Sequence, residues 1–224
     1  MTVLVLLAST LLLVMKRLSI FLPLAATVLL ASCDQIQEAR NTYNTVASTA
    51  RAAKNMGAAL EASQKKRTDR AERGDTVSLN YRDLQRYLPK KVDGFTPIGE
   101  PTGESVNMRG LSYSTCGQIY TKGDQRLKVL LVDYNGANAL YSGATAVMSA
   151  GFSQEDEEQL MRGCDLGVAD VKGWETLEKK EHNASVALGV GDRFFVTVES
   201  NKQDDTEFVK QVARNIDLNG LAKL

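Results

Sequence analysis

The sequence predicts an α+β fold: an antiparallel sheet with helices on both faces (an α/β/α sandwich), preceded by a long N-terminal helical stalk. Three observations lead there. Leu111–Thr121 and Arg126–Tyr134 read as strands joined by the short turn Lys122-Gly123-Asp124-Gln125. Ala184–Val190 and Arg193–Ser200 form a second strand pair about Gly191-Asp192. Helical stretches fill the intervals, and a proline-free run rich in Ala, Gln, Glu, Lys and Arg comes before all of them.

In chain order, residues 1–14 are apolar and uncharged, and they sit awkwardly before Lys16; Met15 reads as the true start. From Met15 the chain runs MKRLSIFLPLAATVLLASCD. Lys16 and Arg17 precede an apolar core, Leu18–Leu30, and small residues lead into Cys33. This is the layout of a secretory signal peptide, too short and wrongly flanked for a stable membrane span. Leu30-Ala31-Ser32-Cys33 resembles the lipobox of bacterial lipoproteins. The resemblance implies cleavage before Cys33, a diacylglyceryl group on its thiol and acylation of the new amine. Each buried CH₂ adds about 0.8 kcal/mol, so two or more chains anchor firmly. An ordinary cleaved signal or an uncleaved anchor is the alternative. Asp34 resembles the inner-membrane retention signal of enterobacterial lipoproteins, and the choice of membrane stays open.

The expected organisation is therefore signal peptide 1–32, lipid-anchored stalk 33–75 and globular domain 76–224. Of 27 basic residues two precede Cys33, leaving 25 against 27 acidic ones. A near-neutral chain has no general electrostatic pull on nucleic acid. With Cys33 committed to lipid, Cys116 and Cys164 remain as a candidate disulfide in an oxidising compartment, against two separate buried thiols.

Along the stalk, Ile36, Ala39, Tyr43, Val46, Ala50, Ala53, Gly57 and Leu60 recur at steps of three and four. The stripe is narrow and small, a weak coiled-coil seam or a face for the domain or bilayer. The basic stretch Lys65, Lys66, Arg67, Arg70 and Arg73 suggests either an anionic surface contact or a solvated hinge. Interspersed Glu61, Asp69, Glu72 and Asp75 favour the hinge.

Within the domain, Tyr81–Leu88 is expected to be a short helix capped by Asn80 and ended by Pro89, and Lys90–Glu104 a loop. In Arg126–Tyr134, Leu127, Val129 and Leu131 face one way and Leu130 and Val132 the other, marking a central strand. Asn138–Ala150 and Ser153–Arg162 read as helices, the second opened by a Ser153-x-x-Asp156 capping box. Val171–Glu181 reads as a strand. A two-residue Gly191-Asp192 loop suits a type II′ turn and sets Val186 and Leu188 opposite Thr197 and Phe195. A three-residue loop would group Val186, Leu188 and Val190 with Phe194, Val196 and Val198, with left-handed backbone at Arg193. Turn chemistry favours the former. A helix over Thr206–Asp217, with Phe208, Val209, Val212 and Ile216 on its packing face, ends the chain.

VALGVGDRFFVTVES followed by DDTEFVKQVARNIDLNGLAKL, with the earlier LKVLLVDYNGA, resembles a group of uncharacterised bacterial envelope proteins. More loosely, these residues resemble the Mog1/PsbP-like sandwiches. The likeness implies a fold over residues 76–224 and a binding or assembly role, and brings no catalytic residue.

Chemistry is sparse. His182 is the sole histidine, without a supporting motif for a triad or a zinc set. Glu155, Asp156, Glu157 and Glu158 would diverge around a helix rather than converge on a cation. No phosphate-binding glycine pattern is present, and Asn183-Ala184-Ser185 matches the glycosylation acceptor by chance. Tyr113, Tyr120, Tyr134, Tyr141 and Trp174 read as packing residues before a ligand cleft. The expectation is a lipid-anchored, non-enzymatic protein with an envelope partner and no cofactor or nucleic acid. The alternative is a small-ligand carrier or hydrolase with a pocket between the sheet and Asn138–Ala150.

Overall fold

The computed structural model describes residues 57–58, 60–145, 148 and 153–224. The signal segment, Cys33 and the stalk before residue 57 lie outside the described residues. The described residues belong to one compact unit, Met56–Leu224.

Helix α1 covers residues 60–72. A short α2, Tyr81–Leu84, continues as a 3₁₀ turn over Gln85–Tyr87, and Asn80 caps it by accepting from Arg82 N at 3.0 Å. The expected Lys90–Glu104 loop contains β1 (Thr96–Pro97) and the start of β2 (Thr102–Met108). TGESVNM carries little apolar alternation because β2 is an edge strand exposed on both faces. β3 (Leu111–Lys122) and β4 (Gln125–Gly136) follow as expected, with Gly123 in left-handed backbone at the turn. Helix α3 is described over Asn138–Thr145.

The helix expected over Ser153–Arg162 is a hairpin, β5 (Gln154–Glu155) and β6 (Gln159–Cys164). Asp156 accepts from Glu158 N and Gln159 N at 2.9 and 2.8 Å, so the carboxylate taken for a capping box closes a turn instead. β7 (Val171–Glu178), β8 (Asn183–Val190) and β9 (Phe194–Ser200) complete the strands, and α4 (Glu207–Arg214) and α5 (Leu218–Ala222) end the chain. The β8–β9 register is the three-residue one, with Val186, Leu188 and Val190 opposite Val198, Val196 and Phe194. Its strain falls on Gly191 and Asp192, both left-handed, and not on Arg193. Asp tolerates that backbone and Gly adopts it freely, which removes the objection to the longer loop.

The nine strands of the described residues form one antiparallel sheet in the order β1-β3-β4-β9-β8-β7-β6-β5, with β2 beside β3. The protein is thus α+β, with mainly antiparallel strands and a few helices. One face buries Leu127, Val129, Leu131, Phe194, Val196, Val198, Val186, Leu188 and Val190 against Val209, Val212, Ile216, Leu218, Leu221, Leu84 and Leu88. The helical spacing in α4 supplies this: Val209, Val212 and Ala213 are buried, and Phe208 stacks on Phe95 at 5.2 Å.

Cys116 and Cys164 occupy the two ends of one cross-sheet row, Cys116–Leu131–Val196–Leu188–Gly173–Cys164. Five strand spacings, about 24 Å along the sheet, separate them. The candidate disulfide is not formed: both thiols are free and buried. Burial pushes the Cys116 thiol up to about 12 and the Cys164 thiol up to about 11, values of unreactive thiols.

Candidate functional site

Strand alternation places Thr115, Gly117 and Ile119 of β3 and Arg126, Lys128 and Leu130 of β4 on the face opposite the core. This face is half-exposed where the core face is closed. Gly117 leaves its floor open: a Cβ there would meet Val129 O at 3.1 Å and Leu130 Cδ1 at 3.5 Å. A wall rises from the β1–β2 connection. The Gln118 amide donates to Ile98 O, Gly99 O and Ile119 O at 3.1, 3.3 and 3.0 Å, and Ile98 N donates to Ile119 O at 2.8 Å.

Between wall and sheet lies an open trough of about 340 Å³, with Ile98, Glu100, Thr102, Glu104, Ile119, Lys128 and Leu130 among its lining. A second hollow of about 270 Å³, lined by Arg126, Lys128, Asn183, Glu199 and Asn201, adjoins it at Lys128. The two make an elongated surface, apolar and acidic at one end, basic and amide-rich at the other. Arg126 and Lys128 are exposed and hold no ion pair among the described residues. Ile98, 54% exposed, projects an apolar side chain beside them. Such a surface offers hydrogen bonds and two signs of charge to an extended ligand, and no enclosed chamber.

The residues weighed from sequence fall elsewhere. His182 stands in a left-handed turn with Nδ1 2.8 Å from Asp204 Oδ1, both exposed, and that pair leads to no nucleophile among the described residues. Glu155 and Glu158 pair with Lys179 and Lys180 of the turn that follows β7. No metal-ligand cluster occurs among the described residues. Tyr120 and Tyr141 are buried, Tyr134 packs edge-on against Tyr141 at 6.3 Å, and Tyr113 and Trp174 are half-buried. Between α3 and the sheet, Tyr141 Oη, Thr145 Cγ2 and Met148 Sδ stand 2.8, 3.0 and 3.4 Å from where a Gly189 Cβ would be; the space is filled at that point.

Sequence reasoning missed the trough, although Arg126 and Lys128 alternating with buried Leu127 and Val129 signalled a wet outer face. It also misjudged the basic stretch. Lys65 and Arg73 are exposed, yet Arg70 is only 4% exposed and ties α1 to the sheet. Its guanidinium donates to Asn135 Oδ1 at 3.0 Å, Gly191 O at 3.3 Å and Asp192 O at 3.2 Å. Burial and the neighbouring Arg193 lower its pKa, and Asp75 and Asp192 oppose them. Arg67 donates to Ser142 Oγ at 3.2 Å, and Lys66 pairs with Asp170 and Asp192. The stretch expected to be a solvated hinge is a docked segment.

The chain matches no protein-family model and no curated protein. Among the described residues no helix is long and apolar enough to cross a membrane.

Proposed function

We propose that this is a lipid-anchored cell-envelope protein, tethered through Cys33, whose domain binds another macromolecule without catalysis. The observation that carries the binding role is the open, elongated trough on the sheet, beside Arg126 and Lys128, which hold no ion pair among the described residues. Its fold is read as an α/β/α sandwich of the Mog1/PsbP-like kind behind a helical stalk. The seating of α3 over Gly189, opposite in alternation to the α4-covered Leu188, supports this. The partner is an envelope protein presenting an extended segment with an acidic residue near Lys128 and apolar ones near Ile98 and Leu130.

Two experiments test this. The intact mass of the membrane form is expected to equal the chain from Cys33 plus lipid. Unfolded without reductant, that form should alkylate at both Cys116 and Cys164. An unlipidated mass beginning at Met1 or Met15 rejects the anchor. For binding, full-length protein is compared with Lys128→Glu/Leu130→Arg, an outer-face change that spares the core. The partners captured from membranes by wild type should fall at least tenfold. An unchanged capture pattern removes the trough from the function.

A further inference from the structure

β2 is an open edge of the sheet. Among the described residues it pairs only with β3, over Thr102–Met108, and every residue but half-buried Val106 is exposed. Apart from its pairing with β3, none of its backbone groups bonds to another backbone group among the described residues. The strand contains no proline, lysine or arginine, the usual guards of an edge. The opposite edge is guarded: β5 is two residues long and carries Glu155 paired with Lys179. An unpaired strand edge is complementary to another extended strand, main chain to main chain.

We propose that two copies of this chain pair antiparallel through β2, about a twofold axis at Ser105. The sequence is self-complementary in this register. Glu104 falls opposite Val106, Gly103 opposite Asn107 and Thr102 opposite Met108, so the strand's single charge never meets its copy. One step further Arg109, in the turn that follows β2, falls opposite Pro101, so no like charges meet there either. A register centred on Glu104 would oppose two carboxylates. Pairing within the sheet keeps the outer faces on the same side. Thr102 and Glu104, which line the trough, then meet the rim of the partner's trough, and the two troughs join. Met108, 59% exposed in the single chain, gains a neighbour.

Cysteine crosslinking of the full-length chain in membranes tests the pairing. Ser105→Cys is expected to give a disulfide-linked species of twice the chain mass on mild oxidation. Asn107→Cys should stay at the wild-type background, because its two copies lie four residues, about 13 Å, apart along the strands. Ser105→Cys at background, equal crosslinking of both variants, or a crosslink to a different protein overturns the proposal. Ser105 Oγ accepts from Tyr81 N at 2.9 Å, so a second readout leaves that residue intact. Sedimentation of the wild-type chain in detergent should give two chains per particle, and one chain overturns the pairing. Neither readout involves a trough partner, so failure here is distinguishable from failure of the binding role.

Discussion

Arg193→Met is expected to destabilise the protein by about 3–5 kcal/mol, measured as a fall in the urea midpoint with little change in slope. The Arg193 side chain is 3% exposed and grips the fully buried Asp133 with two bonds, Nε to Oδ1 at 2.9 Å and Nη2 to Oδ2 at 2.8 Å. Its Nη1 also reaches Asp75 Oδ2 at 2.8 Å. Removing the guanidinium strands the Asp133 carboxylate in the interior, and that uncompensated charge is the main cost. The damage spreads through shared partners. Asp133 accepts from Leu79 N at 2.8 Å and Asn135 N at 2.9 Å, and Asn135 donates to Asp75 Oδ1 at 2.7 Å while accepting from Arg70. The segment linking α1 to α2 is therefore held by this network together with the Ser78–Ser112 bonds, and α1, tied through Arg70 and Asn135, should loosen first. Arg193→Lys should recover little, because a single ammonium cannot supply a fork to Asp133 and a third bond to Asp75. Arg193→Met/Asp133→Leu, which removes both charges, should regain part of the loss; if it is as unstable as Arg193→Met, the stranded-charge account fails.

This network also marks where the sequence stopped being legible. Leu127 to Val132 announced a central strand because apolar residues occupy both alternations, and β4 does lie between β3 and β9. The terminal helix followed from its own spacing and acidic start. Arg70, Arg193 and Asp133 gave no such signal: a charge is assigned to the surface by default, and only the fold brings these three together. Ser153–Arg162 failed for a different reason. An Asx turn and a helix N-cap both use a side-chain oxygen on nearby N–H groups, so Asp156 fits either, and only pairing of β6 with β7 decides between them. The trough was partly legible, since Arg126 and Lys128 alternate with core residues. Its wall was not, because the connection carrying Ile98 is positioned by Gln118, 20 residues further along the chain and read only as strand.

Glu175 supports the second large effect. It sits on the core face of β7 with its side chain 3% exposed, between β6 and the start of α4. Thr206 Oγ1 donates to Oε2 at 2.7 Å, Lys210 Nζ lies 2.9 Å from Oε2, and Arg162 Nε donates to Oε1. Burial alone would push the Glu175 pKa up. The bonds from Lys210, Thr206 and Arg162 together outweigh burial and hold it below the ordinary 4.5. A depressed folded-state pKa means stability fully present above the unfolded value and lost as pH falls below it through the folded one. Glu175→Gln should therefore flatten the acid limb of the stability profile below about pH 4.5 relative to wild type. Glu175→Ala, which leaves the Thr206 hydroxyl and the 12%-exposed Lys210 side chain without this partner, should cost about 2–4 kcal/mol at neutral pH. The loss has a location as well as a size. Thr206 and Lys210 belong to the N-cap and first turns of α4, so amide exchange should rise across Glu207–Arg214 before it rises in β8 or β9. Uniform acceleration over the whole sheet would instead make Glu175 a part of the general core, and an acid limb unchanged by Glu175→Gln would show that its charge is not what fastens the helix.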